Sequence, residues 1–168
     1  MSVETTHEEK ETLVVDVLLP GHDPRTTTSL FRHSREKLIE REGGRCFISC
    51  MTADELGAPL EAHHHPVERC FAEVIDWPHF AADCKRGLWG PHAQAFDWDA
   101  FLSAKPFDPY LFVDDMTVNG VLLAKQFHTA RDAGIHMLPF PIWIVQKYAI
   151  EGYQFTPTEV IHHEQEHP

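Results

Sequence analysis

The stretch LEAHHHP, residues 60–66, decides how this chain is read. Three consecutive histidines close a short apolar and acidic run, and Pro66 follows at once. A terminal histidine run can be a purification tag. This one is internal, so it is either a solvated loop or a place where at least one imidazole has a task. Histidine is the commonest metal-ligating side chain and the usual base near neutral pH, and the chain holds 13 in 168 residues. PLEAHH (59–64) reads as a strand that Pro66 ends, because proline cannot donate to a sheet ladder. That register makes His63 and His64 the working pair and leaves His65 at the strand's edge; His64 with His65 is the other register. CFISCM (46–51) reads as a partner strand and TADELGA as the turn, giving a β-hairpin.

Working outward, composition sets the class. Apolar residues make up 43% of the chain, enough for one domain with a real core. No run of 18 apolar residues is present, so no membrane span is expected. The N-terminus, MSVETTHEEK, is polar and acidic, unlike a signal or transit peptide, and the expected compartment is the cytoplasm. Cys46, Cys50, Cys70 and Cys84 are then better read as thiols or metal ligands than as disulfides. The net charge of −12 argues against a generic nucleic-acid binder. Residues 25–45 run the other way, with six of the 14 Lys and Arg against three acids. Arg32, Arg35, Lys37, Arg41 and Arg45 there form either a solvated face or a phosphate-contacting one.

The rest of the chain is expected to fold as follows. Residues 1–11 are disordered, and 12–168 form a single domain. TLVVDVLLP (12–20) is a strand. Ser29 caps a helix over 30–42, stopped by Gly43-Gly44. Residues 67–77 have helical period, 78–87 and 97–104 suit short helices, and 109–116 look strand-like. NGVLLAKQFHTARD (119–132) reads as a helix, as does the apolar segment 138–149. Thr156, Pro157 and Glu159 suit the capped start of a last helix.

Chemistry enters with Asn119, then eight residues, then His128, with Asp132 four further on. Positions i and i+4 share a helix face, so His128 and Asp132 can converge on one ion and a strand histidine can supply a third ligand. His136, one turn on, is the substitute for Asp132. Three protein ligands with open positions is the layout of a catalytic metal site, not of a closed structural one.

A histidine pair followed by Asn-x8-His resembles the HNH (ββα-metal, or His-Me finger) endonucleases of phage and bacterial type. GGRCFISC leading into PLEAHHHPVE, and VDDMTVNGVLLAKQFHTARDAGIH, carry the likeness over about residues 41–150. The resemblance implies an α+β fold with a ββα-metal core, a β-hairpin plus a metal-binding helix. Helices are added at the N-terminus, in an insertion at 66–112 and at the C-terminus. It implies His63, His128 and Asp132 as ligands of one divalent ion, His64 as the general base on water and Asn119 as the orienting residue. The reaction implied is phosphodiester hydrolysis in DNA, in a bacterial host cytoplasm if the protein is phage-encoded. An imidazole and carboxylate set accepts Mg²⁺, Mn²⁺, Ni²⁺ or Zn²⁺.

The chain departs from the family over its second metal. Cys46 and Cys50 are spaced C-x3-C, and Ala124 and Phe127 stand where a second cysteine pair would fall. Cys46 and Cys50 are therefore either a zinc half-site or buried thiols. The acidic balance predicts weak nonspecific affinity for DNA, met by the basic segment or by a protein partner that delivers the DNA. The rival readings are a non-catalytic interaction or structural protein on a retained HNH scaffold, and a metal-sensing module that uses the histidines for affinity alone.

Overall fold

Thr28 opens the first helix. Its hydroxyl accepts the Phe31 N–H at 3.1 Å, taking the cap role expected of Ser29. The helix, α1, runs Ser29–Arg41 and buries Ser34 and Leu38. It ends where Gly43 and Gly44 turn to φ +60° and +66°, the left-handed region that glycine enters without a Cβ clash. This computed structural model describes residues 27–143, 146, 152, 154–156 and 158–162. The segments expected to be disordered (1–11) and extended (12–20) lie outside the described residues, as does most of 144–151.

The fold is α+β. After α1 the chain makes a tight loop rather than a strand at 46–51. Cys46 N–H bonds Met51 O and Cys50 N–H bonds Cys46 O, each at 2.9 Å, and Arg45 and Thr52 form an isolated bridge. Helix α2 (Ala53–Leu56) follows, closed by a Thr52/Glu55 capping box. Strand β1 (Glu61–His64) does not return to 46–51 as expected. It pairs antiparallel with β2 (Gly120–Leu123), with Glu61 opposite Leu123 and His64 opposite Gly120.

Residues 120–123 are therefore strand and not the helix expected over 119–132. GVLL is apolar throughout and buried at every position, and a short buried strand has no period to tell it from a helix. The 46–51 loop still reaches this sheet, since Phe47 N–H bonds Leu122 O at 2.8 Å. Position 120 has to be glycine: a Cβ there would lie 2.5 Å from Met116 O and 2.9 Å from Met116 Cα.

Everything between β1 and β2 is the insertion, and it folds on its own aromatic core. A 3₁₀ helix (Arg69–Val74) leads to α3 (Trp77–Lys85), α4 (Gly90–Gln94), α5 (Trp98–Ser103) and α6 (Tyr110–Val113). Asp76 and Asp97 cap α3 and α5 by accepting from His79 N–H and Ala100 N–H. Trp77, Trp98, Phe101 and Phe112 are all at most 5% exposed and pack largely edge to face. Phe112 belongs to this cluster, and its segment coils as α6 and the turns after it instead of extending as the strand expected over 109–116.

The other core lies under the two strands, where Leu38, Ile48, Met116, Leu122, Leu123, Phe127 and Trp143 meet. Helix α7 (Lys125–His128) leaves β2 directly, and α8 (Phe140–Trp143) is tied beneath it by the Trp143 indole N–H donating to Phe127 O at 3.0 Å. The C-terminal helix expected at 156 is instead a small hairpin, β3 (Gln154–Thr156) with β4 (Glu159–Val160). Thr156 Oγ1 accepts the Thr158 N–H at 3.3 Å, so its hydroxyl serves a turn and not a helix cap. Among the described residues no helix is long and apolar enough to cross a membrane.

Candidate metal centre

Side chains alternate along a strand, so β1 sends Glu61 and His63 to one side and Ala62 and His64 to the other. His63 is 4% exposed. Its ring lies edge-on to His128 and His136, with centroids 5.1 and 4.9 Å away. One nitrogen from each of the three imidazoles falls within 4.8 Å of the others, close enough to bind a single metal ion. Within the cluster His128 Nε2 and His136 Nε2 are 3.1 Å apart.

His136 takes the place expected for Asp132. The i, i+4 expectation needed a helix through residue 132, but α7 stops at His128. A series of turns follows, in which Gly134 N–H bonds Ala130 O at 3.0 Å and Ile135 N–H bonds Phe127 O at 2.9 Å. These turns bring His136 back over His128. A Cβ at Gly134 would lie 2.6 Å from Ala130 O and 2.8 Å from His128 O, so the return depends on glycine. Asp132 is exposed, bonds the Thr158 hydroxyl and is not among the clustered residues.

Two carboxylates frame the cluster. Glu61 Oε2 lies 2.7 Å from His128 Nδ1. An ionised carboxylate only accepts, so it holds the proton on Nδ1 and leaves the Nε2 lone pair facing the other imidazoles. Glu68 Oε1 lies 3.3 Å from His63 Nε2 and 3.7 Å from His136 Nδ1. Burial, and then the neighbouring imidazoles His128 and His136, push the His63 pKa down to about 3. These outweigh the nearby Glu68, so His63 is the neutral ring a metal requires.

His64 enters the same cleft from the other side of the strand. Its Nε2 is 3.5 Å from Asp114 Oδ1, the outer limit of a hydrogen bond, and makes no closer bond. Phe31 packs on its ring at 5.5 Å. Asp114 is 2% exposed and also accepts from Arg69 Nε at 3.1 Å and from Thr28 Oγ1 at 3.0 Å. Burial alone would raise its pKa, but His64, Arg69 and Thr28 together hold it below the usual carboxylate value. Arg69 is stacked over the Tyr110 ring, 4.6 Å from the centroid. His63, His64, Glu68, Arg69, Asp114, His128 and His136 all line one cleft of about 220 Å³, with Thr27, Phe31 and Ala62 completing it.

Asn119 is fully buried and clamps both ends of the insertion. Its Oδ1 accepts the Val67 N–H at 2.9 Å, and its Nδ2 donates to Val67 O at 2.8 Å and Val113 O at 2.9 Å. His65 stays out of the cluster: its ring stacks on Phe140, with centroids 5.7 Å apart. Cys46 is in the strand core, where its sulfur accepts the Ala124 N–H at 3.2 Å. Neither Cys46 nor Cys50 is in a disulfide, and among the described residues they belong to no metal-ligating group.

The expected basic face divides. Arg41 donates to Thr117 O at 2.6 Å and Gly120 O at 2.9 Å, and Arg45 to Cys50 O at 2.7 Å. Both act within the fold. Arg35 reaches Leu60 O at 3.4 Å. Arg32 and Lys37 are exposed, and Arg32 donates to Thr27 O at 3.2 Å.

Sequence reasoning missed Glu61, Glu68, Arg69 and Asp114. Glu61 was within reach, because it precedes His63 by two residues and shares its side of the strand. Glu68 and Arg69 carried only adjacency, and Asp114 no signal at all, since the insertion brings it back from far along the chain. In comparisons with protein families, curated proteins and solved structures, nothing matches this chain.

Proposed function

We propose that the protein is a metal-dependent endonuclease of HNH type that hydrolyses phosphodiester bonds in DNA. His64 is the general base, and one divalent ion is held by His63, His128 and His136. The observation that carries this reading is that His64 lines the same cleft as the three converging imidazoles, one residue after the first of them. The chain order also supports it. The histidine pair, Asn119 and His128 follow in the order the HNH resemblance implies, although Asn119 opens the strand that pairs with β1 and not the metal helix. The insertion is lodged between the two strands.

The donor set fits a divalent ion. Three imidazoles with Glu68 beside them leave room in a cleft of about 220 Å³ for water and a phosphate oxygen. With His136 in place of Asp132 the set is nitrogen-rich, which favours Zn²⁺ or Ni²⁺ over Mg²⁺, a cation that prefers oxygen, with Mn²⁺ held more weakly than either Zn²⁺ or Ni²⁺. Such an ion supplies Lewis acidity to the phosphate and its leaving oxygen.

The protein's own groups do the rest. Asp114, ionised and buried, lies 3.5 Å from His64 Nε2, so a proton on Nε2 faces this carboxylate and the lone pair is left on Nδ1 to take the proton from the attacking water. Asn119 fixes residues 65–67 against the start of β2 and so holds His64 in register. Arg69, oriented by Asp114 and Tyr110, offers a cation to the phosphate in the same cleft.

The test is nicking of supercoiled plasmid in Mn²⁺, Ni²⁺, Zn²⁺ and Mg²⁺ separately, with EDTA and a His64→Ala protein beside it. Nicking that needs metal and His64 is expected. A protein that binds metal at His63 and His128 yet cuts nothing would leave a scaffold or metal-binding role.

A further inference from the structure

Directly beyond His64 the surface is aromatic. His65 stacks on Phe140 and meets the edge of Trp89, with centroids 5.7 and 6.5 Å away. Trp89 is braced by Phe80 of the insertion at 6.3 Å. Buried aromatics need no explanation, but Trp89 is 39% and Phe140 47% exposed, and Leu88 beside Trp89 is 61% exposed. Two large rings from separate elements are thus held open to solvent around the residue that follows the base.

We infer that Trp89 and Phe140, gathered about His65, form a ledge that stacks unpaired nucleobases, so that the preferred substrate is single-stranded DNA and not intact duplex. The inference rests on the nuclease reading of the neighbouring cleft. A phosphate held there carries its own base one sugar away, on the scale of the one-residue step from His64 to His65. In a duplex that base is stacked and paired and cannot lie on a protein ring. In a single strand it can, and ring stacking gives affinity that owes little to charge. The charge balance makes this the stronger source of binding. The chain carries −12 overall, and two of its five expected phosphate contacts, Arg41 and Arg45, are spent on backbone carbonyls within the fold. Neutralising the dense phosphates of duplex DNA is what such a surface does worst.

The test separates the ledge from the chemistry by working without metal. The other three tryptophans, Trp77, Trp98 and Trp143, are at most 5% exposed, so intrinsic fluorescence quenched by a ligand reports Trp89. In EDTA the protein is titrated with an oligothymidylate of about a dozen nucleotides and with a hairpin duplex of similar length, a stretch that a stacking groove can cover. The single strand should quench the fluorescence and bind roughly tenfold more tightly than the duplex. Trp89→Leu, which keeps apolar bulk against Phe80, should abolish the quenching, and Phe140→Ala, on a different element, should weaken binding about five- to tenfold.

Equal affinity for duplex and single strand overturns the inference, as does quenching that survives Trp89→Leu. Binding of neither nucleic acid overturns it too and leaves the ledge to a protein. Single-strand cutting that is indifferent to both substitutions removes the ledge and spares the metal site. Stacking at Trp89 by a protein that cuts nothing removes the nuclease reading and spares the ledge.

Discussion

Glu61 Oε2 and His128 Nδ1 stand 2.7 Å apart, so a carboxylate from β1 fixes the imidazole that α7 delivers. The sheet and the helix are joined at the site by this contact as well as by the histidines. An outer carboxylate of this kind sets the tautomer and raises the basicity of the ligating nitrogen. Glu61→Ala should lower metal affinity about ten- to a hundredfold while leaving one metal bound per chain at saturation. Titration calorimetry with Zn²⁺ or Mn²⁺ measures both. Unchanged affinity would mean that His128 needs no help in facing the cluster.

Asn119→Ala removes three hydrogen bonds at a fully buried position and strands the Val67 N–H, Val67 C=O and Val113 C=O. Unpaired buried groups are expensive, so a loss on the order of 3 kcal/mol is expected in urea unfolding. Asn119→Asp should not restore it, because its side chain cannot donate to the two carbonyls. A loss below about 1 kcal/mol would show that the clamp is dispensable.

Arg41 and Lys37 lie one turn apart on α1 and should behave differently. Arg41 ties the helix to Thr117 O and Gly120 O, so Arg41→Ala should cost roughly 1–3 kcal/mol of stability. Lys37 is exposed, and Lys37→Ala should stay within about 0.5 kcal/mol. Equal effects on the urea midpoint would return Arg41 to the surface role its charge first suggests.

Burial holds the His63 pKa at about 3, against 6.5 in a free side chain. Between these values the unfolded chain binds a proton that the metal-free native chain refuses, so stability from this residue rises with pH from about 3 to about 6.5. Above that window it contributes no slope. Burial lowers the His65 pKa as well, and its sign is the same. Glu159 opposes them: burial, and then Asp132, raise its pKa to about 7, so it loses stability as pH rises from 4.5 toward 7. Comparing native protein with His63→Phe isolates the first effect. The difference in unfolding free energy should move in favour of the native chain across pH 4–6.5 in EDTA, and a flat difference would mean that His63 titrates normally.

What the sequence disclosed follows from which signals are local. The first helix was legible to within a residue, as 30–42 capped by Ser29 against Ser29–Arg41 capped by Thr28, because its cap, its spaced apolar residues and Gly43-Gly44 all act within a turn or two. His63 and His128 were legible as a pair because a strand end and a fixed spacing place them. The partner of β1 was not: GVLL is short and uniformly apolar, and its pairing is decided by residues on the far side of the insertion. The i, i+4 spacing points to Asp132 only if α7 continues, whereas the chain turns after His128 and Gly134 sends His136 back. Glu68, Arg69 and Asp114 lie beside Val67 and Val113, the two residues Asn119 ties together across the insertion, a contact that no local pattern announces.

The most direct test of the site is cleavage of single-stranded DNA and of supercoiled plasmid in Mn²⁺, with bound metal measured on the same samples, for native protein, His64→Ala, His136→Ala and Asp132→Ala. The geometry predicts that His64→Ala keeps the metal and loses cleavage, that His136→Ala loses both, and that Asp132→Ala keeps both. Cleavage that survives His136→Ala but fails with Asp132→Ala, or that is indifferent to His64, would contradict the site described above.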